Sequence, residues 1–283
     1  MKKLNYDKIG YWSEIKLDII KDYASAYTTI MAKQQNPSFT YIYIDAFAGA
    51  GRHISRKTGE FIPGSPLNAL YIKRPFHEYY FIDLEEARVA ELENLVGGRK
   101  NVYVYHGDCN KILPEEILPR ADYKKYYRAL CILDPYGLHL NWKIIETAGK
   151  MESVEIFLNF PIMDINMNVL KHDQSKVKIE QIDRMNEYWG DESWREVAYI
   201  RSRQMTFPGF GEARNEKASN EAIEEAFRER LKSVAGFKYV PEPMPMRNSN
   251  NVIVYYLYFA SQKPVARDIV KHIFKKYSKR RDG

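Results

Sequence analysis

The sequence is poor in cysteine. It has two in 283 residues, Cys109 and Cys131, and no Cys-x-x-Cys pair. That argues against a disulfide framework and against a cysteine-held metal centre, and no metal site is expected. Long apolar runs are missing as well. The longest strongly apolar stretch, Val252–Ala260, is too short to span a bilayer as a helix. The opening MKKLNYDKIGYW carries lysines but no apolar segment, so it does not read as a signal peptide. These absences point to a cytoplasmic protein without a membrane association. His-Glu-x-x-His, Gly-x-Ser-x-Gly and Gly-Lys-Ser/Thr are also missing. Zinc-peptidase, serine-hydrolase and Walker-type nucleotide readings therefore have no support.

What is present suits a folded α/β protein. Hydrophobic residues make up 45% and charged residues 28%, enough to build a real core. Tyrosine is abundant, at 22 residues, and its apolar body with a polar tip suits half-buried surfaces. Net charge is +6, which is compatible with an RNA or DNA partner. The surplus crowds the C-terminal end at Lys263, Arg267, Lys271, Lys275, Lys276, Lys279, Arg280 and Arg281, against Asp268 and Asp282. A solvated helix face and a nucleic-acid contact both explain that crowding.

Hydrophobic spacing sets the organisation. Trp12, Ile15, Ile19, Tyr23, Tyr27 and Ile30 fall at steps of three and four, which predicts an amphipathic helix over 9–33. Strands are predicted at Tyr41–Asp45, Tyr79–Asp83, Val102–Tyr105, Ala129–Asp134 and Val154–Asn159. Between them fall helices at Ser65–Tyr71, with Ser65 as its cap and Pro66 in its first turn, at Glu85–Val96 and at Trp142–Ala148, the last ending at Gly149. Strands alternating with helices imply a parallel sheet with right-handed crossovers. Residues 165–235 read as a helical insertion. A last pair of strands is predicted at Phe237–Val240 and Val252–Ala260, separated by a Pro-Glu-Pro-Met-Pro loop and antiparallel because that loop is too short for a crossover. Helix 264–277 follows. The expected architecture is Rossmann-like: seven strands, mostly parallel, with an antiparallel last strand. The segments are 1–38, an N-terminal helical segment; 39–164 with 236–283, the core; and 165–235, the insertion.

The chemistry-bearing residues sit at strand ends. Asp45, Asp83, Asp108 and Asp134 each end or follow a strand, where open α/β sheets bind ligands. After Asp45 comes Ala-Phe-Ala-Gly-Ala-Gly. A dinucleotide fingerprint needs a small residue three positions beyond the second glycine, and Ile54 stands there. A phosphate-free ligand therefore fits better. S-adenosylmethionine presents an ammonium, a sulfonium, a ribose diol and an adenine. Asp45 suits its cationic end, Gly49 and Gly51 let backbone approach it, Asp83 suits the ribose and Asp108 the adenine amino group. Phe47, Leu84 and Cys109 lie beside these residues and complete the candidate cofactor set.

Asp134-Pro135-Tyr136-Gly137 follows the fourth strand. Enzymes that methylate exocyclic amines carry an acid or amide here, then prolines and an aromatic that stacks on the flipped base. The catalytic candidates are Asp134, Pro135 and Tyr136. A strand-terminating turn accounts for the proline and glycine equally well. Candidate substrate contacts are Arg52 and His53 in a long basic segment read as a mobile lid, then Ser65, Asn159 and Phe160.

Taken together, WSEIKLDIIKDY, YIDAFAGAGR, GSPLNAL, FIDLE, GDCN, LDPYGLHLNW and LNFP resemble the three-Cys-motif partner proteins of bacteria, archaea and phages. The resemblance runs from about residue 12 to 160. It implies a fold similar to class I S-adenosylmethionine-dependent methyltransferases. It also implies a partner with three clustered cysteines that looks like a radical iron–sulfur protein. Gly-Ser-Pro also occurs in a group of adenine-N6 ribosomal RNA methyltransferases, which favours a nucleic-acid substrate.

Overall fold

A computed structural model describes residues 6–171, 176–201 and 215–280. The chain opens with strand β1 (Lys8–Ile9) and the long helix α1 (Tyr11–Met31). Strand β2 (Thr40–Asp45) precedes a hairpin of β3 (Arg52–Ser55) and β4 (Phe61–Pro63). Helix α2 (Ser65–Leu70), strand β5 (Glu78–Asp83), helix α3 (Glu86–Val96) and strand β6 (Val102–His106) follow. A short helix α4 (Cys109–Ile112) leads through irregular turns to β7 (Tyr127–Leu133). Next come α5 (Trp142–Met151), β8 (Val154–Phe160), α6 (Ile162–Asn168), α7 (Ile179–Trp189) and α8 (Trp194–Ala198). A strand pair, β9 (Tyr199–Arg201) and β10 (Asn215–Lys217), precedes α9 (Asn220–Ser233). The chain closes with β11 (Met244–Arg247), β12 (Ile253–Ala260) and α10 (Pro264–Ser278). Among the described residues no helix is long and apolar enough to cross a membrane.

Seven strands form one sheet in the order β11-β12-β8-β7-β2-β5-β6. β8, β7, β2, β5 and β6 run parallel, and β12 alone runs against its neighbours. This is a Rossmann-like sheet of the class I methyltransferase type. Successive residues of the central strands face opposite layers, and both layers are covered. Tyr41 and Tyr43 pack with α1, α2, α3 and α10. Ile42 and Ile44 pack with α4 to α9. Helices of the 165–235 segment belong to this second layer and have no core of their own: Phe227 of α9 packs its ring on Trp142, Phe160, Tyr188 and Tyr258.

Four expectations are corrected. Phe237–Val240 is not a strand; Tyr239 makes a single bridge to Ser261. The true strand is Met244–Arg247, inside the proline-rich stretch read as a loop. β11 lies at the sheet edge, where Pro245 lacks no needed hydrogen bond. Helix α5 runs past Gly149 to Met151. A Cβ at Gly149 would meet the Ala235 carbonyl oxygen at 2.0 Å, so this glycine serves close packing. Ser65 does not cap α2, whose cap residue is Gly64. The basic segment after Gly51 is no loose lid. It is the β3–β4 hairpin, held on one side by β1 in a three-stranded sheet.

Candidate cofactor and acceptor site

The chain leaves β2 for β5 and β6 on one side, then returns to β7 on the other. The carboxyl ends of β2 and β7 therefore flank the topological switch point, where such sheets bind ligands. Asp45 ends β2 and Asp134 follows β7, so the switch point is flanked by two carboxylates.

Asp45 is fully buried. Its Oδ1 accepts a hydrogen bond from the Phe47 N–H at 3.2 Å. The Ser65 hydroxyl faces the carboxylate, yet no hydrogen bond of ordinary geometry reaches Oδ2 among the described residues. Burial pushes the carboxyl up to about 7; Ser65 and the Phe47 N–H offset part of that, and Asp134 adds to it. A buried carboxylate with an unpartnered oxygen is costly unless a donor or cation meets it.

The loop after Asp45 is held open. Gly49 and Gly51 have φ of +62° and +76°, a backbone that disfavours any side chain. A Cβ at Gly49 would have nothing within 4 Å, so the space beside the loop is clear. The Gly49 N–H donates to Asp83 Oδ2 at 2.8 Å, and the Glu85 N–H donates to Asp83 Oδ1 at 2.9 Å. Asp83 thus ties the glycine loop to the end of β5. Each of its oxygens keeps a lone pair for a ligand hydroxyl. Leu84 projects into solvent beside it. Asp108 is the cap of α4, accepting from the Asn110 N–H at 2.9 Å. Cys109 is buried, and burial pushes its thiol up to about 12, so it is a packing residue rather than a nucleophile.

The acceptor side contains a residue that strand-end reasoning missed. Lys16 of α1 donates to Asp134 Oδ2 at 2.5 Å, and its ammonium sits 5.1 Å from the Tyr255 ring centroid. Burial alone would lower the Lys16 ammonium, but Asp134 and Tyr255 outweigh it and hold it above the usual lysine range. One of the Asp134 oxygens is therefore already engaged. Lys16 falls in the helical repeat of α1 as a polar residue between Ile15 and Leu17, and the sequence carries no sign of its partner.

Tyr136 is 87% exposed and free to stack on a planar ligand. Gly137 takes φ +60°, and a Cβ there would approach Asp164 Oδ2 at 3.2 Å. Pro135 is buried under the turn. Asn110, also missed from sequence, braces this loop: its Nδ2 donates to the His139 carbonyl and its Oδ1 accepts from the Asn141 N–H.

Asn159 lies in register with the residue after Leu133, because Leu133 pairs with Leu158. Its Oδ1 is buried without a partner among the described residues. Phe160, expected beside it in the substrate pocket, instead belongs to the core, packed on Tyr188, Phe227 and Tyr258. Strand alternation turns neighbouring side chains to opposite faces, so only one of the two can reach the cleft. Arg52 and His53 lie on β3. Burial lowers the His53 imidazole, and its Nδ1 has no hydrogen-bond partner among the described residues.

No family model and no curated sequence match this chain. Solved structures match it in fold. A Legionella pneumophila protein of family DUF519 is 14% identical over 92% of each chain, with a TM-score of 0.49. The DszA carbon methyltransferase is 10% identical over 88% of this chain, with a TM-score of 0.43; the match spans 54% of that protein. A Listeria monocytogenes structure described as an S-adenosylmethionine dependent methyltransferase is 12% identical over 85% of this chain and 99% of its own, with a TM-score of 0.40. These likenesses concern the fold and assign neither a residue nor a reaction.

Proposed function

We propose that this chain binds S-adenosylmethionine at the carboxyl edge of the sheet and methylates a nitrogen of a nucleic-acid base. The observation that carries this reading is Asp45, buried at the switch point with Oδ2 facing the Ser65 hydroxyl but without a hydrogen bond of ordinary geometry among the described residues, and Asp134 following the adjacent strand. An ammonium group from a ligand would complete the Asp45 environment. Gly49, beside which the space is clear, would admit it to the backbone, whereas Gly51 packs against Leu92 and Leu95; Asp83 would accept from its ribose hydroxyls. Asp108, Phe47, Leu84 and Cys109 would border the adenine end.

When bound, the cofactor supplies a methyl group on a sulfonium. Asp134 then accepts a hydrogen bond from an acceptor N–H through its free oxygen. Asn159 Oδ1 offers a second acceptor on the neighbouring strand. Tyr136 stacks on the base, and Arg52 and His53 lie on the hairpin beside it. The cofactor would supply the methyl group to the nitrogen and leave as a neutral thioether, and the proton lost from the nitrogen would pass to solvent. A neutral amine needs orientation more than a strong base, and orientation supplies much of the barrier reduction. Lys16 holds the Asp134 carboxylate in place through their ion pair.

A second reading is favoured by one specific observation. Asp134 already has a partner in Lys16. The chain would then bind the cofactor without catalysing transfer, and serve as the adaptor of a three-Cys-motif protein. Asp134→Ala separates the two. Loss of labelled-methyl transfer to RNA, with cofactor affinity within about threefold (under about 1 kcal/mol), supports the enzyme. Transfer-free wild type whose complex with the three-Cys protein survives the substitution supports the adaptor.

A further inference from the structure

Helix α10 carries two kinds of cation. Lys276 donates to Asp22 of α1 at 2.7 Å, and Arg280 lies 3.6 Å from Asp18. These two fasten α10 to α1. The other row, Lys263, Arg267, Lys271, Lys275 and Lys279, recurs every four residues from one end of the helix to the other. Four of its five members are exposed, and Arg267 is half-buried. Arg267 pairs with the adjacent Asp268 at 2.8 Å; the four lysines have no ion pair among the described residues.

The first part of this row does not serve the helix, although Lys275 and Lys279 at its C-terminal end complement the dipole. Like charges at this spacing repel one another. Lys263 caps the N-terminus and Arg267 lies in the first turns, where the helix dipole disfavours cations. Beside the row lies a cleft of about 630 Å³ that adds Arg228, Lys232 and Lys238, with Tyr239 on its wall. Those three cations are offset by Glu225, Glu229 and Glu152 respectively, and Glu242 also lines the cleft, so the uncompensated charge resides on the helix.

We infer that the Lys263–Lys279 ridge of α10 binds the phosphate backbone of a single nucleic-acid strand. Successive cations rise about 6 Å along the axis, close to the separation of neighbouring phosphates, and turn about 40° around it, so the row slants across the helix over about 24 Å and a strand on it would follow that slant. The concave cleft with an aromatic wall fits a strand better than a flat bilayer. Direction supports this. β12 ends beside the start of β8, so α10 begins at the amino edge of the sheet and runs back toward the carboxyl edge. Its last turn reaches Asp18, two residues from Lys16. A strand on the ridge would be led toward the acceptor loop. That guidance rests on the proposed methylation; the binding itself does not.

The test is fluorescence anisotropy of a labelled single-stranded oligoribonucleotide across a salt series. It compares wild type, Lys271→Gln/Lys275→Gln/Lys279→Gln, and a control of equal charge loss, Lys33→Gln/Lys73→Gln/Lys100→Gln. All six positions are exposed, so folding is preserved. Five phosphate contacts give a slope of log K against log salt of about −3.5 for wild type, falling to about −1.4 in the ridge variant and unchanged in the control. An unchanged slope in the ridge variant overturns the proposal. So does an equal loss in both variants, and so does wild type that binds phosphatidylserine vesicles but no RNA. The ridge variant should bind S-adenosylmethionine in calorimetric titration as wild type does, so failure here is distinct from failure of the cofactor reading.

Discussion

Asp45 and Glu155 are both fully buried in the same sheet, and burial pushes both up to about 7. Their surroundings differ. Glu155 stands near the start of β8, at the amino edge. Its Oε2 accepts from the Tyr23 hydroxyl at 2.5 Å and its Oε1 from the Ser261 hydroxyl at 3.0 Å. Asp45 stands at the carboxyl edge, where Oδ2 faces the Ser65 hydroxyl without a hydrogen bond of ordinary geometry among the described residues. Burial and titration are therefore no guide to which acid is structural. The closed network ties α1, β8 and β12 together, whereas the open one awaits a ligand.

That contrast can be broken most sharply with Asp45→Ala. It should weaken S-adenosylmethionine binding at least 100-fold, about 3 kcal/mol, as expected when one side of a buried charge pair is lost. Calorimetric titration reads it, and affinity within threefold of wild type would move Asp45 to the structural side. Glu155→Ala should do the reverse. At pH 6 it should cost about 1–3 kcal/mol in urea denaturation, because two buried hydroxyls lose their acceptor. Cofactor affinity should stay as in wild type.

The pH dependence follows from the raised values. A cationic ligand needs Asp45 ionised, so affinity should rise about tenfold from pH 6 to pH 8. Stability of the free protein should move the opposite way. Both acids titrate higher in the folded chain than in the unfolded one. Their contribution is complete below about pH 4 and is lost as pH rises through about 7. Thermal melts of the free protein should fall over that interval, and less so in Glu155→Gln. The smallest effect is reserved for Tyr136→Ala. Its ring is mostly in solvent, so stability should change by under about 0.5 kcal/mol. A weakened acceptor affinity with an unchanged melt would identify it as a ligand contact.

Much of the carboxyl edge was legible because its signals are local. A strand, an acid and a pair of glycines occupy adjacent positions, and the Gly49 N–H does reach Asp83. What escaped was set by distance or brevity. Lys16 reaches Asp134 across 118 positions, and nothing in α1 announces that partner. β1 is two residues long, too short for periodicity to show, so the hairpin it braces read as a loop. Pro245 and Gly149 misled because each obeys its environment, an open edge and a close backbone contact, rather than its propensity. Phe160 was misplaced by treating two neighbours on a strand as facing one pocket.

The position of β12 has a consequence for how the molecule is made. β12 inserts between β8 and β11, and Tyr255 on it covers Lys16. The first helix and the last strand among the described residues must therefore meet before the acceptor side is closed. A nascent chain could lay down β2, β5, β6, β7 and β8 in order as it emerges, yet Lys16 would stay uncovered until synthesis had passed Ala260. Completion of the site is thus tied to synthesis of β12. Ribosome-stalled products ending before β12 would carry the glycine loop and the four strand-end acids, but with the acceptor side open to water.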